Sequence, residues 1–179
     1  FAPHIHFEYR DSKSVPLNPL IMAYNLEDQI KPIAKELALV PLSQNALINT
    51  SPLVQTIPLF RDKSGVYHFA DTISVFGEFG LAIKAIDKRE GTNNIYQFHK
   101  AELIVDGELE FEISYDRIPF NQGKFAKTLI KFSLERQNLG EFQKLYRLPE
   151  HKKTSIHKSE NLGILGLAPG THSVLINIF

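Results

Sequence analysis

Asp106-Gly107 lies between two runs in which apolar and polar residues alternate, and that junction ties the chain to antiparallel β structure. Asp-Gly favours the type I′ turn of a two-residue hairpin, because both central positions need positive φ. On the incoming side, Ala101 to Asp106 carries Leu103 and Val105 at a period of two. On the returning side, Leu109, Phe111, Ile113 and Tyr115 alternate with Glu108, Glu110, Glu112 and Ser114. That pattern predicts one buried face and one acidic, solvated face. Three glutamates on one side read as an outer surface rather than a cation site.

Other segments extend the same pattern. Ile33 to Leu42, after Pro32 and with Pro41 near its end, has the apolar content of a first strand. Phe79 to Asp87 places Phe79, Leu81, Ile83 and Ala85 on one face. Leu162 to Leu167 and His172 to Phe179 read as strands joined by the turn signal Ala168-Pro169-Gly170-Thr171. Between them the pattern changes: from Gly123 to about Leu139, Phe125, Leu129, Phe132 and Arg136 fall at helical spacing, with Gly140 as a stop. A helical insertion over about 124–139 is expected, its aromatic stripe serving packing. Several strands with turns between them and little helix predict a mainly β chain, with an immunoglobulin-like β-sandwich over 28–179.

Composition excludes some function classes. Lys plus Arg and Asp plus Glu both total 20, so no net charge draws the chain to nucleic acid or anionic membrane. The longest apolar runs, such as Leu37 to Leu42, fall well short of the about 20 residues that a spanning helix needs. No cysteine is present, which removes disulfides and thiolate metal sites. No Gly-rich phosphate loop, nucleotide fingerprint or Ser-His-Asp pattern at known spacing occurs. The basic run Lys152, Lys153, His157 and Lys158 reads as a solvated loop, and His68, His99 and His172 as surface or hydrogen-bonded residues.

The chemistry-bearing segment is the first one, Phe1-Ala2-Pro3-His4-Ile5-His6-Phe7-Glu8-Tyr9-Arg10-Asp11. A strand over Ile5 to Tyr9 puts His4 and His6, two residues apart, on one side, where they can address one metal ion or one substrate. One imidazole can bind a metal while its neighbour handles a proton or holds a developing oxyanion. At least one further ligand is needed. A paired histidine on an exposed strand edge needs no ligand at all, so the surrounding residues decide the reading.

Pro3-His4-Ile5-His6-Phe7-Glu8, followed by the polar turn Asp11-Ser12-Lys13-Ser14 and by Asn18-Pro19, resembles the end of the catalytic domain of lysostaphin-type (LytM-like) zinc endopeptidases. The resemblance implies that His6 is a zinc ligand and His4 the catalytic histidine. Ala2 stands where that family usually has Gly. The family takes its other two ligands from an upstream H-x-x-x-D motif, and none occurs later in this chain. Four residues after His68, His99, His151, His157 and His172 stand Thr72, Leu103, Ser155, Asn161 and Ile176. His68-Phe69-Ala70-Asp71 has the wrong spacing.

The expectation is therefore a C-terminal piece of a larger protein that carries half an active site and is inactive alone. Residues 1–27 would close the peptidase domain, and 28–179 would resemble the accessory β-domain of Bacteroidetes relatives, stopping at Phe179 in mid-strand. By resemblance the intact protein would use Zn to hydrolyse peptide bonds in peptidoglycan, in the periplasm or at the outer membrane of the bacterial envelope. The alternative is a non-catalytic envelope interaction module on a degenerate peptidase fold, docking on another envelope protein or glycan. The upstream sequence separates the two.

Overall fold

The computed structural model describes residues 3–19, 29–91, 93–151, 154–159 and 161–179, with backbone alone for Lys124 and Ala126. The expected boundary between residues 27 and 28, Thr92 of the polar loop, and Lys152 and Lys153 lie outside the described residues. Among the described residues fifteen strands follow in order: β1 (Tyr9–Arg10), β2 (Pro16–Leu17), β3 (Ile33–Pro41), β4 (Leu47–Ile48), β5 (Gln55–Pro58), β6 (Phe60–Arg61), β7 (Tyr67–His68), β8 (Val75–Phe76), β9 (Phe79–Lys88), β10 (Ile95–Tyr96), β11 (Lys100–Val105), β12 (Glu108–Ser114), β13 (Gln143–Lys144), β14 (His157–Lys158) and β15 (Val174–Ile178). The chain is mainly β, with antiparallel sheets and little helix, as its patterning predicts.

Two sheets carry the core. The first runs β10-β9-β3-β5, with β13 also on β9, and the second runs β14-β12-β11-β15. Leu37, Leu39, Leu81 and Ile83 from the first sheet and Ala101, Leu103, Phe111 and Ile113 from the second share one buried cluster. This is the two-layer arrangement that lets each sheet bury an apolar face. Pro58 ends the edge strand β5, where its missing amide leaves no ladder bond unmade.

The first sheet is covered on its other face as well, which accounts for the long buried runs of β3 and β9. Ala38 and Ala82 on that outer face pack with Phe142 and with Leu134 of the helical insertion. The insertion is a helix at Phe120–Ala126, a 3-10 turn at Lys127–Leu129 and a short helix at Phe132–Glu135, rather than one helix from Gly123 to Leu139. Ile130 pairs with Gln143, and the Lys131 amide donates to the Phe142 carbonyl at 2.9 Å, which interrupts the helical ladder. Leu129 and Leu134 supply the buried side chains, while Phe132 is 49% exposed.

The hairpin β11-β12 forms as expected, with Asp106 at φ 51° and Gly107 at φ 90°. One face is less regular than its sequence. Leu103 pairs with Phe111 but Ile104 pairs with Leu109, so Glu110 is an extra residue in a bulge. The bulge turns Leu109 to the outer face opposite Ile104, where it is 50% exposed rather than buried. Tyr115 keeps the inner position, and its hydroxyl donates to Gln143 Oε1 at 2.8 Å. Glu112 is not a free surface carboxylate, since Lys158 at 2.9 Å and Lys100 at 3.0 Å hold it ionised, the Lys158 hydrogen bond most of all.

Leu162 to Leu167 is not a strand. Leu162 and Gly163 take consecutive positive φ values of 59° and 70°, and only Leu165 makes a bridge, to Phe79. The last strand is β15, at Val174–Ile178 within the expected segment. The turn before it is fastened to the β11-β12 hairpin by His172, whose Nδ1 lies 2.5 Å from Asp106 Oδ2 and whose Nε2 lies 2.8 Å from the Ala168 carbonyl. Both ring nitrogens face acceptors, so the imidazolium satisfies both. The Asp106 hydrogen bond raises the His172 pKa above its ordinary 6.5. This clasp contributes fully below the unfolded-state value and is lost as pH rises through the higher folded-state value. In an NMR titration, His172 is expected to protonate above pH 6.5 and Asp106→Asn to bring it down; a ring that titrates at or below 6.5 contradicts the clasp.

Candidate functional site

His4 and His6 are both exposed, on a stretch that joins neither sheet of the sandwich. The expected strand Ile5 to Tyr9 is not formed as such: β1 is limited to Tyr9–Arg10, paired with β2, because residues 3–8 have no ladder partner among the described residues. The alternation of an extended chain is nevertheless retained. On one side the Nε2 atoms of His4 and His6 are 2.7 Å apart, followed by Glu8, whose Oε1 accepts from Arg10 Nε at 2.9 Å. On the other, the rings of Phe7 and Tyr9 meet edge to face at 6.0 Å. The segment is thus two-faced, with imidazoles on one side and Ile5, Phe7 and Tyr9 on the other.

The turn that closes this arm is built by its own sequence. Asp11 Oδ1 accepts from the amides of Lys13 at 2.8 Å and Val15 at 3.0 Å, and Ser14 takes φ 59°. The Val15 amide bond is the main reason that the Asp11 carboxyl stays below its usual range. Polar contacts fasten the arm to the sandwich. Arg117 reaches Asp11 at 3.3 Å, Leu17 bridges Arg117, the Asn18 amide donates to the Asp116 carbonyl at 2.8 Å, and Arg10 lies over the Phe120 ring at 5.0 Å.

Beside that junction is a cleft of about 300 Å³, lined by Lys100, Glu112, Asp116, Arg117, Ser155 and Lys158 among others. Its charges are paired internally: Lys100 with Glu102 at 2.7 Å, and His99 with Asp116 at 2.5 Å.

The donor set at His4 and His6 fits part of a zinc site. Two imidazole nitrogens converge, as zinc coordination and its neighbouring proton chemistry require, but no group of three or more His, Cys, Asp or Glu side chains able to hold a metal occurs among the described residues. His68 is committed to Asp62 at 2.8 Å, His99 to Asp116 and His172 to Asp106, so none of them is brought toward the pair. The chain matches no protein-family model, no curated protein and no solved structure.

Proposed function

We propose that this chain is the C-terminal part of a zinc metalloendopeptidase of the bacterial cell envelope, acting on peptide bonds in peptidoglycan, with His6 as a metal ligand and His4 as the catalytic histidine. The observation that carries the proposal is the 2.7 Å approach of the two Nε2 atoms on an arm outside the sandwich core. The opposite face of the arm supports it. Ile5 is 89% exposed and Phe7 59%, which is the apolar side of a strand whose sheet is elsewhere.

In this reading His6 would hold the metal through one ring nitrogen. When bound, zinc polarises the scissile carbonyl and lowers the pKa of its water toward ~7. His4, two residues away on the same side of the arm, would take or return a proton or donate to a developing oxyanion. The remaining His and Asp ligands belong to polypeptide upstream of Phe1, and the sandwich positions the peptidase or a partner. The second reading is a non-catalytic envelope module that docks on a partner, and metal content separates the two.

Two proteins test this: the chain as given, and the same chain with its natural upstream polypeptide. The short chain is expected to take up no stoichiometric zinc, and the extended one to hold one zinc and hydrolyse peptidoglycan peptides. An extended protein that holds no zinc supports the docking module and ends the peptidase reading. Tight stoichiometric zinc in the short chain contradicts the divided site.

A further inference from the structure

On the outer face of the first sheet, basic side chains gather without an ion-pair partner among the described residues. Lys144 in β13 pairs with Ala82 of β9, and alternation along β13 places it on the same side as Phe142. Gln143, between them, faces inward, its Oε1 accepting from Tyr115 and its Nε2 donating to the Leu129 carbonyl at 3.2 Å. The antiparallel bridge Ile130 to Gln143 brings Lys131 alongside Phe142, on that same outer side. The chain then continues through Tyr146, whose ring lies 5.6 Å from Lys144 Nζ, to Arg147, which donates to the His151 carbonyl.

Lys144 is 6% exposed, yet it makes no hydrogen bond or ion pair among the described residues. Its stem is enclosed and its ammonium opens to the surface without an acceptor, which leaves the charge only partly solvated. Arg147 Nε and His151 Nδ1 are buried and have no hydrogen-bond partner among the described residues. These two orphaned nitrogens and the unpaired Lys144 ammonium can all donate to one acceptor group. Burial and then the Lys131 charge push Lys144 down to about 8, and burial and then the Lys144 charge lower His151. Glu150 is the acidic group that bears on both, and it is exposed and makes no ion pair among the described residues. By contrast Lys84, the next outward lysine on β9, has Glu36 Oε1 at 2.5 Å and the Leu139 carbonyl at 2.7 Å.

We propose that Lys131, Lys144, Arg147 and His151 form a binding site for an oxyanion, a phosphate or carboxylate group that supplies the acceptors these side chains lack. The geometry suits it: Lys contributes point charges, Arg a planar donor set, and His an Nδ1 that can donate. The site stands on different residues from the His4 and His6 pair, so either proposal can fail alone.

The test is titration of the full chain with inorganic phosphate, at ionic strength fixed with sodium chloride, followed by calorimetry and by the His151 ring resonances. Saturable binding of one phosphate is expected, with the His151 pKa rising as the anion neutralises its neighbours. Lys144→Met, which keeps the stem and removes the charge, should weaken binding at least about tenfold, and Lys63→Met at an exposed site should leave it unchanged. A parallel titration with acetate assigns the source: competition at similar affinity indicates a carboxylate, and phosphate alone indicates a phosphate. Absence of saturable binding by both anions, or equal affinity in wild type and Lys144→Met, overturns the proposal. Should Lys144→Met fail to fold, His151 resonances that ignore phosphate in the wild-type chain overturn it equally.

Discussion

In the protein extended upstream of Phe1, His6→Ala is expected to lose zinc and peptidase activity together, whereas His4→Ala is expected to keep its zinc and lose about 10²–10⁴ in kcat. The two residues are chemically alike and adjacent, with Nε2 atoms 2.7 Å apart, so a general disturbance of the arm would affect both variants alike. A ligand and a proton-transfer group do not fail alike. Removing a ligand empties the site, because the remaining donors no longer complete the coordination that zinc needs. Removing the proton carrier leaves binding intact and raises only the barrier. Both side chains are exposed and outside the sandwich core, so neither substitution should alter the stability of the rest of the chain. Metal analysis beside steady-state kinetics reads the split. Zinc lost in His4→Ala but kept in His6→Ala would exchange the two roles, and zinc kept with full activity in both would remove the histidines from the reaction.

What could be read from the residues depended on how far each signal is local. The hairpin at Asp106-Gly107 and the strand of Phe79, Leu81, Ile83 and Ala85 were legible because turn chemistry and a period of two are written in consecutive positions. Leu109 was misplaced because the bulge at Glu110 depends on how β12 meets β11, and alternation alone carries no sign of it. Leu162 to Leu167 looked like a strand on apolar content, although Gly163 and Gly166 within it signalled irregular backbone. The helical spacing of Phe125, Leu129 and Phe132 was real locally and was broken by the tertiary pairing of Ile130 with Gln143.

The two candidate sites differ in the same way. His4 and His6 are two residues apart, so their proximity on extended backbone follows from the chain itself. The basic cluster joins Lys131 to Lys144, Arg147 and His151 through a cross-strand bridge, which no local spacing in the sequence announces. Phe142-Gln143-Lys144-Leu145-Tyr146 gives no hint that its lysine is buried. That burial comes from the outer face of a sheet covered by an insertion, a long-range fact.

Gly163→Ala is expected to destabilise the chain by about 3 kcal/mol or more, against about 1 kcal/mol for Gly107→Ala, both read from urea unfolding midpoints. The comparison isolates space from backbone conformation, since both glycines have positive φ, 70° and 90°. At Gly107, on the open hairpin turn, an added Cβ meets nothing within 4 Å, so the cost is the left-handed backbone alone. At Gly163 the same Cβ would stand 2.4 Å from the Leu145 carbonyl oxygen and 2.8 Å from Phe111 Cδ2. Neither neighbour can yield: Leu145 belongs to the core and its amide donates to the Leu81 carbonyl at 2.8 Å, and Phe111 is fully buried between the sheets. The loop must move instead. Moving it strains the Arg147 amide bond to the Leu162 carbonyl and the reciprocal bonds between Leu165 and Phe79, at 3.0 and 2.8 Å, and so loosens Leu165 from the core. Equal losses in the two variants would mean that the contact of this loop with Phe111 and Leu145 is not part of the folded state.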